Sequence, residues 1–442
     1  MERILTSIDV GTSKVLTTVV KMNNGRIVEV LGTGLVPSHG IHRAIVLDIE
    51  EPTAAIRESV AEAEASSGTR VKSAFVGITG HHIGYTNNRG AVTVKGGDSR
   101  VKRRDLDRVM KSSREVPLPE DARVIHAIPR QYYLDGEPVL GSPLGLHGHR
   151  LEVETHVVTA GVTFIQNLVK CVEGAGVEVR DLVLEALASG EAVLEDAEKD
   201  GGVVLADIGA GTTDITVFRG RAIWYSRALP VGGYNVTRDI ALGLGIPFQR
   251  AEELKITFGS ALLPRDVQPQ TVGMDADGGH GVSHRDLCYI IRSRLEEAIG
   301  MIFAELPRVQ WMTWEPTALV LCGGTSNLPG IDKLGQQVLH QPVRVGRPTC
   351  LPEGVQGFDD PAYATGLGLL LWGSKYGGAK AATTESLLRR FFDQVSRWRL
   401  QDQLSRLRLN ERVSNLRLNK RVAALRRNLP RITFGPPREG DE

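Results

Sequence analysis

The chain is 442 residues long, 41% hydrophobic and 24% charged, which excludes a disordered or fibrous protein and leaves room for two to four cooperating domains. Its 53 Lys and Arg nearly balance 52 Asp and Glu, so no net field draws the whole molecule to nucleic acid, membrane or an acidic substrate. Four cysteines, Cys171, Cys288, Cys322 and Cys350, form no Cys-x-x-Cys pair, which excludes a zinc ribbon, a thioredoxin-type motif and a disulfide scaffold and points to a reducing compartment. Residues 1–10 contain no apolar signal core. The longest apolar stretch, 367–372, is far short of the roughly 18 residues that span a bilayer, so neither secretion nor a spanning helix is expected.

An internal repeat sets the architecture. Residues 4–10 form an apolar, β-branched run that enters Asp9-Val10-Gly11-Thr12-Ser13-Lys14; a second run, a turn at Asn24-Gly25 and a third run from Arg26 follow. The same order recurs 198 residues on, where residues 203–208 enter Asp207-Ile208-Gly209-Ala210-Gly211-Thr212-Thr213-Asp214, with the next turn at Arg219-Gly220. Helical periodicity is predicted for 51–67, 164–175, 183–198, 235–244 and 284–305. Strands alternating with such helices imply a mixed α/β chain of two lobes, each opening on a glycine hairpin. A third glycine loop, Gly323-Gly324-Thr325-Ser326, follows the apolar run 317–322 and precedes a helix near Ile331.

Asp-x-Gly at a hairpin tip pairs a carboxylate able to hold Mg²⁺ or its waters with backbone N–H groups open to phosphate oxygens. One copy is equally an ordinary β-turn. Two copies and a later glycine loop favour two hairpins gripping one nucleotide, with Asp9 and Asp207 facing each other across Mg²⁺ and water. Hydroxyls at Thr12, Ser13, Thr212 and Thr213, with Lys14 near the terminal phosphates, suit ATP hydrolysis or phosphoryl transfer, and two lobes suit a nucleotide state read out as hinge closure.

Residues 83–160 interrupt the first lobe with a compact α/β pattern that carries no nucleophile or metal-ligand spacing. His81 and His82 are neighbours, which on a strand point to opposite faces, and His126, His147, His149 and His156 form no spaced set; structural or surface roles are expected for all six. After Trp372 the composition turns to Gly, Lys, Ala and Thr, predicting a linker over 373–385. Residues 386–429 carry 12 Lys and Arg against 3 acids. On a helix at about 100° per residue, Leu387, Leu388, Phe391, Val395 and Trp398 share one side with arginines opposite, the pattern of an interfacial helix on an anionic membrane. Beyond it, 407–415 and 416–424 repeat with a period of nine, which places leucines on both sides and disfavours a coiled coil. The membrane surface is the favoured reading of this region; a partner-binding or self-associating helix and a merely solvated or nucleic-acid-attracted arm are the alternatives. Residues 430–442, which open on a proline, are expected to be disordered.

The residues Asp9-Val10-Gly11-Thr12, Asp207 to Asp214 and Gly323 to Ser326 resemble the phosphate-1, phosphate-2 and adenosine motifs of the actin, sugar-kinase and heat-shock chaperone superfamily. Within it, residues 75–90, 126–132, 151–160, 166–172, 182–189, 232–241 and 251–259 resemble the FtsA family of bacterial division proteins, and the likeness extends to about residue 372. The resemblance implies an actin-like two-lobed α/β fold with a family-specific inserted subdomain and a C-terminal amphipathic tail. It divides the chain into a first lobe (1–82, 161–200 and about 346–372), the insert (83–160), a second lobe (201–234 and 317–345), a further subdomain (235–316), the linker, the membrane-targeting region (386–429) and the tail.

It also implies ATP or ADP with Mg²⁺. Asp9 and Asp207 would hold the metal through water. Gly11, Thr12, Ser13, Lys14, Gly209, Gly211, Thr212 and Thr213 would meet phosphates, Glu252 and Lys255 the ribose and base edge, and Gly323, Gly324 and Ser326 the adenosine. Glu185 matches the carboxylate that positions water in chaperone and MreB relatives, although Ala186 stands where they have proline; read alone, it is an ordinary helix-start acid. At most a slow Mg-dependent ATPase is expected, with Asp9, Glu185 and Asp207 in the catalytic roles. The implied partners are the C-terminal peptide of FtsZ, for which Arg294 is a candidate contact if it is not simply part of a solvated helix face, further copies of the chain in a filament, an anionic membrane, and other division proteins through 83–160. Nucleic acid is not expected. The implied location is the cytoplasmic face of the cell membrane at the division septum. A PilM-like pilus assembly scaffold and a small-molecule kinase of the same superfamily are the alternative readings.

Overall fold

The computed structural model describes residues 2–264, 270–273, 281–306, 317–352, 355 and 357–376. Two five-stranded sheets carry the repeat. In the first, the strands lie in the order Glu178–Leu184, Ser73–Ile78, Glu2–Val10, Lys14–Asn23, Arg26–Pro37. In the second, the order is Val343–Val345, Leu319–Cys322, Val203–Ile208, Thr213–Arg219, Ala222–Leu229. Both sheets are parallel through their first three strands and antiparallel through the hairpins. The two lobes are therefore topological copies.

Helices cover the sheets, which is why Val203–Ile208 is apolar but for Asp207 and buried throughout. Helix Glu50–Ser67 sets Ala55, Ile56, Val60 and Ala63 against Val19 and Val36, and helix Val162–Gly174 adds Ile165, Leu168 and Val172 to the same cluster. Helix Glu185–Val193 enters a central core that draws on both sheets, joining Phe75 and Val183 to Leu205, Phe218 and Val320. The helical residues 364–376 enter the same core through Leu367, Leu370 and Trp372. In the second lobe, helices Gly233–Leu244, Phe248–Phe258 and His284–Glu305 pack Ile240, Leu254, Ile291, Leu295 and Ile299 beneath the sheet.

The insert is an antiparallel sheet of Gly84–Thr93, Arg150–Gly161, Ala122–Leu134 and Glu137–Val139, in that order, covered by helix Arg103–Ser113. Its own core holds Val94, Val101, Val109, Leu151 and Val153. One side of it is bolted to the edge strand Ala222–Leu229 of the second lobe. His156, fully buried, bonds Asn87 Oδ1 through Nδ1 at 2.8 Å and Ser226 Oγ through Nε2 at 2.9 Å. Burial, with help from Arg130 and His126, pushes its pKa down to about 3, so the ring is neutral. Since Asn87 Oδ1 can only accept, Nδ1 carries the proton and Nε2 accepts from Ser226. Arg130 stacks over Trp224 at 3.9 Å.

Three expectations need correction. Val183 and Leu184 end a strand rather than start a helix, because they pair in parallel with Gly77 and Ile78; the helix begins at Glu185 and breaks after Val193. The body continues past Trp372: residues 373–376 stay helical, with Tyr376 against Trp372 at 4.3 Å, so the linker does not start at Gly373. His81 and His82 lie in a turn, not on a strand, and both meet Phe164, His82 stacked at 4.2 Å and His81 edge-on at 5.5 Å. The membrane-facing set Leu387, Leu388, Phe391, Val395 and Trp398, the nine-residue repeat and the final tail lie outside the described residues.

Candidate functional site

The hairpins of the two lobes converge on a cavity of about 380 Å³. They close identically: Gly11 N–H donates to Lys14 O at 3.0 Å, and Gly209 N–H to Thr212 O at 2.9 Å. Their tips touch. A Cβ on Gly211 would lie 2.6 Å from Thr12 Oγ1 and 3.0 Å from Arg43 Cα, so only glycine permits this approach. The volume falls in the range of small-molecule sites.

Five carboxyls line this space: Glu252, which is paired with Lys255, and a cluster of four, Asp9, Glu185, Asp207 and Asp214. Burial raises all four. Asp9 is pushed up to about 6, with Lys14 pulling down and Asp207 pushing further up. Asp214 is pushed up to about 7, although it accepts a hydrogen bond from Thr79 Oγ1. Glu185 is held well above the ordinary range by burial and by Asp9, Asp214 and Asp207. Asp207 is raised too, but less freely, because Ser189 Oγ and Thr365 Oγ1 (the latter at 3.0 Å) donate to its carboxylate. Such crowding is relieved by a cation. Among the described residues no three acidic, His or Cys side chains form a metal cage.

Positive charge enters from two sides. Lys14 Nζ donates to Ala362 O at 2.6 Å beside the Tyr363 ring. Lys255 pairs with Glu252 at 2.7 Å, one helical turn away on Phe248–Phe258, and Thr237 Oγ1 also donates to Glu252. Burial lowers the Lys255 pKa, and Glu252 opposes the shift. The third glycine loop is tied to the second hairpin by Thr325 Oγ1, which donates to Gly209 O at 2.9 Å.

Of the residues anticipated from sequence, Asp9, Gly11, Thr12, Ser13, Lys14, Glu185, Asp207, Gly209, Gly211, Thr212, Glu252, Lys255, Gly323 and Gly324 all line this one cavity. Two side chains do not. Thr213 Oγ1 turns inward to Val231 O at 2.8 Å, and Ser326 Oγ to Cys322 O at 2.6 Å. Arg294 is no free cation: it is held by Asp239 and, at 2.6 Å, by Glu297. Sequence reasoning missed Thr79, Asp214, Thr325 and Thr365. Asp214 was within reach, since strand alternation from Thr212 puts it, not Thr213, on the cavity side.

Two α/β lobes of identical topology, each presenting an Asp-x-Gly hairpin to a shared cavity, define an actin-like ATPase fold. The solved PilM–PilN type IV pilus biogenesis complex contains a chain of this fold, matched with a TM-score of 0.60 at 18% identity over 84% of this chain and 98% of that one. A family profile described as "Cell division protein FtsA" matches residues 204–368, and one described as "SHS2 domain inserted in FTSA" matches 80–159. The cell division protein FtsA of Pseudomonas aeruginosa is 38% identical over 378 residues, 84% of this chain and 89% of that protein. That of Bacillus subtilis is 34% identical over 82% of each. The chain belongs to the FtsA family of cell division proteins.

Proposed function

We propose that the protein binds ATP or ADP with Mg²⁺ between its lobes, polymerises on the cytoplasmic face of the cell membrane at the division septum, tethers FtsZ filaments there and recruits later division proteins. The observation that supports this most is the convergence of the Asp9 and Asp207 hairpins on one acidic cavity in a member of the FtsA family. Asp9 and Asp207 would hold Mg²⁺ through water, Ser13, Thr12, Thr212 and Lys14 would meet phosphates, and Glu252 and Lys255 the sugar. Bound Mg²⁺ would supply charge neutralisation of the phosphates. Hydrolysis, resting on a Glu185 whose pKa is raised by burial and by Asp9, Asp214 and Asp207 and which is followed by Ala186, should be slow.

We assign the lobes, the insert and the 235–316 subdomain as the sequence divides them, with 346–376 completing the first lobe. The FtsZ peptide is assigned to 235–316 and the membrane anchor to 386–429. A metabolic kinase would need an acceptor pocket beside the nucleotide; the small cavity beside Glu185, about 20 Å³, has room for a single water and could not serve as one.

The test is co-sedimentation of the full chain with anionic vesicles, Mg·ATP and FtsZ, against the variant Phe391→Ser/Trp398→Ser. The reading expects FtsZ in the pellet only with the unaltered chain. FtsZ that stays in solution with both, or an unaltered chain that consumes ATP rapidly on a small-molecule acceptor, refutes it.

A further inference from the structure

We propose that the insert carries a second membrane contact, independent of the tail and of nucleotide: a leucine-tipped, basic-flanked loop that dips into the headgroup layer of an anionic bilayer. The loop lies between strands Glu137–Val139 and Arg150–Gly161. Leu140, Leu144 and Leu146 fall within one seven-residue stretch of it and are 99%, 50% and 45% exposed. Isolated exposed leucines are ordinary, but three within seven residues of one loop concentrate apolar surface that water solvates poorly.

The loop is held in shape. Gly145 N–H donates to Val101 O and Val101 N–H to Leu146 O, both at 2.9 Å, and Gly148 N–H donates to Ser99 O at 2.9 Å. Arg100 Nε donates to Gly145 O at 3.2 Å. The leucines are therefore presented on a braced platform rather than on a slack coil, and little ordering entropy is lost on docking.

Charge identifies the occupant. The two segments so joined, 95–104 and 135–150, carry six Lys or Arg against three acids. Lys102 is paired with Asp98 at 3.0 Å and Arg150 with Glu152 at 2.8 Å, while Asp135 accepts the backbone N–H groups of His149 and Arg150, so the positive excess rests on Lys95, Arg100, Arg103 and Arg104. Arg100, Arg103 and Arg104 are exposed beside the loop. An acidic peptide would satisfy the same charges, but a peptide with apolar anchors needs a groove to receive them. Here the apolar groups project outward, which suits a deformable apolar medium edged by negative charge. A single amphipathic helix gives reversible membrane attachment; a second contact on the folded body would raise avidity and fix the orientation of the insert against the membrane.

The test places an environment-sensitive fluorophore at Leu140→Cys in a Cys350→Ser background of the full-length chain, where the other three cysteines are buried. The same label at Leu47→Cys, an exposed first-lobe site, is the control. With phosphatidylglycerol–phosphatidylcholine vesicles, emission at position 140 should shift to the blue and brighten while that at position 47 stays unchanged, and pure phosphatidylcholine should produce neither change. Leu140→Ser/Leu144→Ser/Leu146→Ser should weaken vesicle partitioning by about tenfold even with the tail intact. A label at position 140 that stays silent while the chain sediments with vesicles overturns the proposal, as does one that responds to polyglutamate but not to vesicles. Failure of the tail reading is seen separately, as unchanged sedimentation of Phe391→Ser/Trp398→Ser.

Discussion

Gly323 and Gly324 are neighbours in one loop, yet replacement by alanine should be costly at the first and nearly neutral at the second. Gly323 sits at φ 82° and ψ 166°, a region essentially reserved for glycine, where an alanine costs about 1–3 kcal/mol. Its Cβ would also lie 2.3 Å from Asp207 Oδ1 and 2.6 Å from Ile208 O. Neither neighbour can give way easily, because the carbonyl is backbone and the carboxylate is pinned by Ser189 and Thr365. Strain and overlap together should cost at least about 3 kcal/mol, a large share of a domain's stability. Displacing Asp207 should also weaken Mg·ADP binding by at least tenfold, since about 1.4 kcal/mol suffices for that. A Cβ on Gly324 meets nothing closer than Ala362 Cβ at 3.9 Å, so Gly324→Ala should stay within about 0.5 kcal/mol of the unaltered protein. Urea unfolding and titration with a fluorescent ADP analogue, run on both variants, measure the two effects. Equal midpoints and equal affinities would refute the reasoning.

Three further outcomes follow from the site and the insert. The Asp9 carboxyl, at about 6 in the folded chain against 3.8 unfolded, contributes stability that is fully present below pH 3.8 and lost as pH rises through 6; about 1.4 kcal/mol of that loss falls between pH 5 and pH 8, and saturating Mg²⁺ should reduce it, as urea midpoints at those two pH values would reveal. His156→Ala strands Asn87 and Ser226 and opens a cavity at the insert, so it should cost about 3 kcal/mol and speed hydrogen exchange in Arg150–Gly161 and Ala222–Leu229 while leaving Glu2–Val10 protected. Lys255→Met leaves Glu252 without its cation and should weaken ATP more than inorganic triphosphate in competition titrations, whereas equal losses would place Lys255 away from the nucleoside.

The repeat was legible because each hairpin is local: β-branched runs, a glycine turn and the next run specify their own pairing. The parallel strand Glu178–Leu184 was not, since its partner Ser73–Ile78 lies some hundred residues away and Leu182-Val183-Leu184 suits helix and strand equally. The cavity residues found from sequence are those on motifs. Thr79 and Thr365 carry no local signal, and only the packing of separate elements brings them to Asp214 and Asp207. Ser326 was assigned from the loop's composition, but the short 3₁₀ turn Gly324–Asn327 directs its hydroxyl back to Cys322 and leaves Thr325 on the cavity. Of the ion pairs that hold Arg294, the one to Glu297 is local, three residues on in the same helix, and the one to Asp239 is tertiary, since Asp239 comes from another helix.

The most direct test of the central claim is calorimetric titration of the full chain with ATP, with and without Mg²⁺, beside Asp9→Asn. The account predicts one site per chain, Mg²⁺-dependent and weakened at least tenfold by the substitution, with protons released on binding near pH 6 and few near pH 8. No heat from ATP at any Mg²⁺ concentration, or binding indifferent to both Mg²⁺ and Asp9, would contradict it.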